Sequence, residues 1–539
     1  MTDERERRPP ETAETTRDWL AERARTSSEA TALVEAADGT RWSYAELDAA
    51  VEETAGRLAD LGVRAGDHLG VLMETRVAFV RLVHAAMRLG AVLVPLNARL
   101  TGPELVRQAE TADLNLLVCE RETEADAVAV ADSAASTAGL PVASVDSLDA
   151  DGVAALRERE PTDFDPAAWS RADPQAMLFT SGTTGDPKAV ELSMSNFLSS
   201  AVASAFRLGV TPDDNWLLCL SMYHMGGLSV VLRSALYGTT VVLQEGFDAG
   251  NAADATAEFG VTGVSLVPTM LRRMLDARDS LSNSLRFVLL GGAPASEELI
   301  SRCEARGVPV HPTYGMTETA SQIATARPRE AFAHRGTVGR PLLWTDVTVV
   351  GEGDEGDERD EESRDDEADG EGGNEIPLPA GETGELVVSG PTVMRGYYGD
   401  PAATNETFGE YGLHTGDVGY RDEAGRVWVL NRREDRIVTG GENVHPGEVV
   451  EALREHPAVR DAAVVGLADD EWGERVSALV VTEDDATLSV EALDAHCRER
   501  LAGYKCPRTV AFADELPRTT SGTVEREAVR ERLREARDS

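Results

Sequence analysis

The sequence predicts an α/β protein: a large N-terminal domain of layered α/β subdomains followed by a small C-terminal α/β domain. Its 539 residues exceed what one ordinary hydrophobic core organises. Helix-spaced and strand-like apolar runs alternate along most of the chain, the pattern of a mainly parallel sheet covered by helices. Near residues 431–435 that pattern is interrupted, and the remainder reads as a compact unit of about 100 residues.

Residues 1–16 are charged and Pro-containing with no apolar stretch, so they read as a mobile tail rather than a secretory signal. Residues 44–61 carry apolar positions at helical spacing, 69–73 form a short buried-strand run, 78–89 are again helical and 91–95 are a strand. An acidic stretch, 122–165, breaks the alternation. Residues 176–179, 263–267 and 287–290 are buried strands, the last two followed by helix-like sequence. The large domain is expected over 17–431. Within it, residues 352–375 are mostly Asp, Glu and Gly and separate two strand-like runs, 347–350 and 384–388. That composition cannot bury a core, so a disordered surface insertion is expected at about 351–376. It lacks the ligand spacing of an EF-hand. The small domain, 432–534, reads as helix 448–456, strands 462–465 and 476–481, helix 490–501 and a strand at 510–512.

Asp and Glu total 95 against 52 Lys and Arg, a net charge of −43. So acidic a surface disfavours nucleic acid and anionic membranes. No run of about 18 apolar residues offers a transmembrane helix. The acid is spread along the whole chain, which points to a surface suited to high salt rather than to one acidic binding face. Lysine occurs only at Lys188 and Lys505, and every other cation is Arg. This usage resembles that of cytosolic proteins of extreme halophiles. Cys119, Cys219, Cys303, Cys497 and Cys506 are odd in number and contain no CxxC. Neither a disulfide framework nor a zinc site is indicated, and a reducing cytoplasm is expected.

The densest chemical signal is Thr180-Ser181-Gly182-Thr183-Thr184-Gly185-Asp186-Pro187-Lys188, which follows the apolar strand. Its glycines let the backbone turn its N–H groups towards an anion, its hydroxyls add donors, and Lys188 adds a point charge. That is what a polyphosphate needs, although the segment is not a Walker A loop. It resembles the phosphate loop of the adenylate-forming superfamily, which contains acyl-CoA and aryl-CoA ligases, luciferases and peptide-synthetase adenylation domains. The resemblance spans nearly the whole chain with its motifs in the expected order.

Several further segments carry the resemblance. Tyr314-Gly315-Met316-Thr317-Glu318-Thr319 looks like the second family motif; it implies that Thr317 and Glu318 meet the ATP phosphates and Mg²⁺, with the aromatic near adenine. Carboxylate beside phosphate is what a hard cation requires. Gly291-Gly292-Ala293-Pro294 resembles the loop along adenine. His414-Thr415-Gly416-Asp417 resembles the motif whose Asp binds the ribose hydroxyls, and Arg432 matches an Arg that reaches the same sugar. Glu434 matches the hinge, where relatives usually carry Asp or Lys. The resemblance implies a mobile small domain that closes first for adenylation, then rotates to bring Gly440-Gly441-Glu442-Asn443-Val444 to the pantetheine tunnel. ATP, Mg²⁺ and coenzyme A are the implied cofactors and co-substrates, and a small carboxylic acid is the other partner. The oligomeric state is left open, a homodimer included.

The acid pocket of such ligases follows the motif containing His224. Here Leu220-Ser221-Met222-Tyr223-His224-Met225-Gly226-Gly227-Leu228-Ser229 is followed by Arg233. With the runs 265–271, 319–322 and 96–101, it looks most like the branch that activates o-succinylbenzoate in menaquinone biosynthesis. Gly226 departs from the Ser frequent in that branch. On this resemblance His224 stays near the reacting carboxylate, and Ser229, Arg233, Ser321 and Gln322 are candidate anchors for the aromatic carboxylate. A ligase for fatty or other aryl acids is the alternative within the family.

One position breaks the pattern. Leu516-Pro517-Arg518-Thr519-Thr520-Ser521-Gly522 matches the C-terminal family motif, which normally continues with a Lys that bridges carboxylate and α-phosphate; here Thr523 follows. Loss of such a cation typically costs about 10²–10³ in rate. Another cation, Arg526 or Lys505, substitutes for it, or adenylation is slower, or the chain binds nucleotide as a pseudoenzyme. Lys505, in Tyr504-Lys505-Cys506-Pro507, matches a segment on the CoA side of relatives and is not assigned the adenylation role.

Overall fold

Helix Val77–Leu89 is buried on nearly every side, so it must lie between two layers. A computed structural model of the protein describes residues 15–16, 18–133, 139–146, 152–181, 187–352, 375–432, 437–483, 488–518 and 524–538. On one side of the helix lies a sheet in the order Gly396–Tyr397, Pro187–Ser193, Pro174–Ser181, Val92–Leu96, His68–Leu72, Leu116–Cys119, Val142–Ser144, Val153–Ala155, parallel from Pro174–Ser181 onward. On the other lies a second sheet whose centre, Phe287–Leu290, Gly263–Leu266, Asn215–Leu218, Thr240–Leu243 and Thr31–Glu35, is also parallel.

Alternation along the strands assigns the faces. Leu69, Val71, Leu93 and Val118 of the first sheet join Trp216, Leu218, Val241 and Phe287 of the second in one core with the helices between them. The intervening residues, such as Val94 and Leu117 in the first sheet and Val264 and Val288 in the second, face outward under separate helices. The result is five layers, helix–sheet–helix–sheet–helix. Arg88 brings a charge into the middle layer and is matched there: Nε donates to Asp18 Oδ2 at 2.8 Å, Nη1 reaches Glu52 at 2.9 Å, and Asp48 completes the set. A buried cation is costly without such partners.

A third sheet, built on Asp346–Glu352, Thr383–Ser389, Gly412–Arg421 and Val427–Arg432, flanks the second. The smaller C-terminal domain centres on the hairpin Val459–Asp469 and Gly473–Thr482, with Thr509–Ala513 parallel at one edge. Helices Pro446–Arg454 and Val490–Arg498 cover one face, and Arg526–Asp538 covers the other. No helix among the described residues is long and apolar enough to cross a membrane.

The expected elements at 44–61, 69–73, 78–89 and 287–290 correspond to Tyr44–Asp60, His68–Leu72, Val77–Leu89 and Phe287–Leu290. Two readings are corrected, and one element is additional. The acidic stretch 122–165 does not interrupt the layers: Glu124–Ser133 is a helix, and Val142–Ser144 and Val153–Ala155 extend the first sheet. Thr15–Thr16, read as tail, pairs with Trp169–Ser170. The C-terminal helix Arg526–Asp538 was not foreseen. Of the acidic insertion, residues 351–352 and 375–376 are strand, with Glu352 opposite Glu375; residues 353–374 lie outside the described part, as do 1–14 and 17. All five cysteines are buried free thiols.

Candidate functional site

The antiparallel pair Pro174–Ser181 and Pro187–Ser193 sets Thr180 opposite Lys188 and Ser181 opposite Pro187. The rest of the predicted phosphate loop, Gly182, Thr183, Thr184, Gly185 and Asp186, lies outside the described residues. Lys188 Nζ lies 4.9 Å from the centroid of the Tyr397 ring.

Tyr314 to Thr319 leaves the second sheet as strand Val310–Met316 and turns through a short 3₁₀ segment, Thr317–Thr319. Gly315 is required there, since a Cβ would stand 1.7 Å from the Ser321 carbonyl oxygen. After the turn, Ala320 and Ser321 have φ of 50° and 108°, a backbone that side chains other than Gly rarely adopt. Glu318 is buried, and Tyr397 Oη donates to its Oε1 at 3.3 Å. Burial, and next the Glu318 carboxylate, push the Tyr397 phenol up, so it remains a donor. Tyr314 Oη donates to Asp417 Oδ2 at 2.7 Å. Arg432 stands opposite Asp417 across its strand pair. The Arg432 side chain, like Glu434 and Thr523, lies outside the described residues.

Val267 joins the two domains beside the predicted adenine loop. Gly292 (φ +78°) and Gly441 (φ +87°) both approach it, so that a Cβ on either would meet its methyl groups at 3.2 and 3.6 Å. Ala293 follows Gly292 in sequence, and Met316 follows Gly315.

His224 caps the start of helix Met225–Tyr237. The preceding turn packs against that start so closely that a Cβ on Gly227 would stand 2.3 Å from the Ser221 carbonyl oxygen. His224 Nε2 lies 2.8 Å from Glu442 Oε2 of the small domain. Arg99 Nη1 reaches the other Glu442 oxygen at 3.4 Å. Burial pushes the Glu442 carboxyl up, but His224 and Arg99 outweigh it and hold the group below its ordinary range. Nearby, Lys505 Nζ is buried between Glu104 Oε1 at 2.7 Å and Glu448 Oε2 at 2.8 Å. Burial opposes its charge, and the two carboxylates restore it. Lys505 therefore binds the large domain to the small one in this orientation.

Further along the helix, Arg233 is fully buried. Its Nη1 donates to Gln322 Oε1 at 3.0 Å and its Nη2 to Ser200 Oγ at 2.8 Å. Ser200 in turn donates to the Ala320 carbonyl at 2.6 Å, and Gln322 Nε2 to Thr325 at 2.8 Å, so the network braces the strained turn. No carboxylate among the described residues pairs with Arg233, and burial pulls its guanidinium down. Ser229 is spent on its own helix, donating to the Gly226 carbonyl at 3.4 Å. Ser321 adjoins Gln322 in the same turn. Sequence reasoning did not single out Ser200, Glu104 or Tyr397. The Gly-Tyr pair at 396–397 was the one local signal for the last of these.

Comparison with known proteins fits this arrangement. Residues 20–398 match the model of the AMP-binding enzymes, and residues 448–523 match the AMP-binding enzyme C-terminal domain. The chain belongs to the AMP-binding enzyme family. A 2-succinylbenzoate–CoA ligase of Bacillus cereus (strain Q1) is 36% identical over 524 residues, covering 97% of this chain and all of that protein. A double mutant of the o-succinylbenzoate CoA synthetase of Bacillus subtilis, bound with its product analogue OSB-NCoA, superposes with a TM-score of 0.84 at 34% identity, covering 96% of this chain and 99% of that one. The Bacillus subtilis enzyme in complex with ATP and magnesium ion gives 0.69 at 33% identity, covering 96% and 100%.

Proposed function

We propose that the chain is a 2-succinylbenzoate–CoA ligase that converts 2-succinylbenzoate, ATP and CoA into 2-succinylbenzoyl-CoA, AMP and diphosphate. The observation that carries the choice of acid is Arg233. A buried guanidinium surrounded only by neutral oxygens is costly unless an anion completes it. The helix rises about 13 Å from residue 224 to residue 233, and an arginine on a helix leans back towards the N-terminus. On this reading Arg233 meets the far carboxylate of a dicarboxylic acid and His224 lies near the reacting one. A fatty acid offers Arg233 nothing.

In the first half-reaction the acid's carboxylate oxygen attacks the α-phosphorus of ATP, the bond to the bridging oxygen breaks and diphosphate leaves. The role of the protein there is positioning and charge stabilisation. Thr180 to Gly185, Lys188 and Thr317 are assigned to the phosphates, Gly292, Ala293, Tyr314, Gly315 and Met316 to the adenine side, and Asp417 and Arg432 to the ribose. The residues suit a magnesium–polyphosphate: Lys188 makes no ion pair among the described residues, and the Glu318 carboxylate is turned towards the same end of the site. Mg²⁺ held at Glu318 would neutralise charge on the departing diphosphate.

In the second half-reaction the CoA sulfur attacks the acyl carbon, AMP leaves and the thiol proton is lost. His224 and Glu442 form an acid–base pair at the junction of the domains, and Gly441 beside Val267 belongs to the same junction. The better superposition on the product-analogue complex supports reading this orientation as the thioester-forming one. Rotation about Glu434 would then restore the adenylating orientation. Use of ATP and CoA, with five free thiols, supports a cytoplasmic location.

The test is AMP release with CoA over a panel of acids at high salt. 2-Succinylbenzoate is expected to turn over best, and Arg233→Met to raise its KM at least about tenfold with little change in the KM for ATP. Turnover of fatty acids without 2-succinylbenzoate would reject the substrate. Absence of acid-dependent pyrophosphate exchange with every acid would leave a nucleotide-binding pseudoenzyme.

A further inference from the structure

Strand Gly396–Tyr397 lies antiparallel to the strand that leaves the phosphate loop, with Tyr397 opposite Val190. Lys188 is two residues from Val190 and so on the same face, a diagonal neighbour of the tyrosine. The Lys188 ammonium sits over the ring, 4.9 Å from its centroid. The hydroxyl at the far end of that ring donates to Glu318 Oε1 at 3.3 Å. The same segment also grips the Glu318 backbone, since Met394 N–H donates to its carbonyl at 2.7 Å. Tyr397 is itself fixed: its N–H donates to Thr404 Oγ1 at 2.9 Å. A Cβ on Gly396 would meet the Thr404 side chain at 2.8 Å.

A cation and a carboxylate at one end of a partly buried site attract strongly, and in contact each would quench the other. The aromatic side chain contacts both groups. It offers the ammonium a π face, which holds a cation without competing as an anion would. It offers the carboxylate a hydroxyl donor.

We infer that Tyr397 is a positioning residue for the polyphosphate and its metal: its ring holds the Lys188 ammonium and its hydroxyl holds the Glu318 carboxylate, so that the two groups meet the polyphosphate and its metal rather than each other. This rests on the ligase reading of Lys188 and Glu318.

The test is binding to the full chain by titration calorimetry, with Mg·ATP and AMP as ligands, and Mn²⁺ resonance as a probe of the metal in the nucleotide complex. Tyr397→Leu is expected to weaken Mg·ATP about tenfold while AMP, which has no β- or γ-phosphate, binds as before. Tyr397→Phe keeps the spacer and is expected to stay within about threefold for Mg·ATP, with weaker Mn²⁺ retention. In a Lys188→Gln background, Tyr397→Leu is expected to add little, because the cation it restrains is gone. Unchanged Mg·ATP binding in Tyr397→Leu, or additive losses in the double variant, would overturn the inference alone. If Tyr397→Leu does not fold, a loss in Tyr397→Phe as large as that in Lys188→Gln overturns it instead. No Mg·ATP binding by the wild-type chain would overturn the ligase reading and this inference with it.

Discussion

His224 Nε2 and Glu442 Oε2 lie 2.8 Å apart, and the two residues belong to different domains. The pair exists only while the small domain holds this orientation. Substituting Glu442→Gln keeps the shape and removes the charge. The rate of thioester formation from a supplied acyl-adenylate is expected to fall about 10²-fold, with adenylation little changed. Rapid-quench measurement of the two half-reactions separates these outcomes, and an equal loss in both would contradict the assignment.

Glu104 is the large-domain end of the second bridge. It accepts from Lys505 Nζ and from the Ala502 N–H while also closing the cap of its own helix. Glu104→Gln is expected to weaken this orientation by about 1–3 kcal/mol. Labels on the two domains would report a longer mean distance, and thioester formation would slow while pyrophosphate exchange holds. An unchanged distance distribution would show the bridge to be incidental.

Asp214 ties together the starts of central strands in the second sheet, accepting from Arg286 at 2.5 Å, Thr262 Oγ1 at 2.7 Å and the Thr211 N–H at 2.7 Å. Burial raises its carboxyl, but Arg286 and the other donors outweigh that and leave it below the ordinary value of 3.8. A depressed carboxyl contributes stability that is complete above its unfolded value and is lost as pH falls through the folded one. Asp214→Asn is therefore expected to cost about 1–3 kcal/mol near neutrality, with the difference from wild type shrinking only below about pH 4. Paired denaturant melts across pH test this; a difference that grows with acidity would refute it.

Thr523 follows the segment 516–522, whose resemblance to the C-terminal family motif leads one to expect a lysine next. Thr523→Lys is expected to speed adenylation at least about tenfold and to leave thioester formation nearly unaltered. Pyrophosphate exchange measures the first step directly. An unchanged rate would mean that another cation already serves.

Much of this was legible because it is local. The layers follow from apolar period in runs such as Val77–Leu89 and Phe287–Leu290, and the nucleotide motifs are contiguous in sequence. Helix Glu124–Ser133 was missed because it buries only Ala127, Val130 and Glu124 and, Val128 apart, is otherwise polar or small. The three-residue strands after it are too short to display a period. Helix Arg526–Asp538 offers only Val529 and Leu533 as buried apolar residues in a charged run. The site's decisive relationships are of another kind. His224 meets Glu442 across 218 residues, and Tyr397 meets Glu318 across 79. Such pairings depend on how strands and domains are stacked, which no window of sequence contains.

The register that sets Glu352 opposite Glu375 has a consequence for how this chain can be altered. The backbone departs and returns at neighbouring points of a sheet edge, so the sheet is indifferent to the length of what is spliced between them. For an engineer the same position is a port, at which residues 353–374 could be exchanged for a two-residue turn, an affinity tag or a reporter domain.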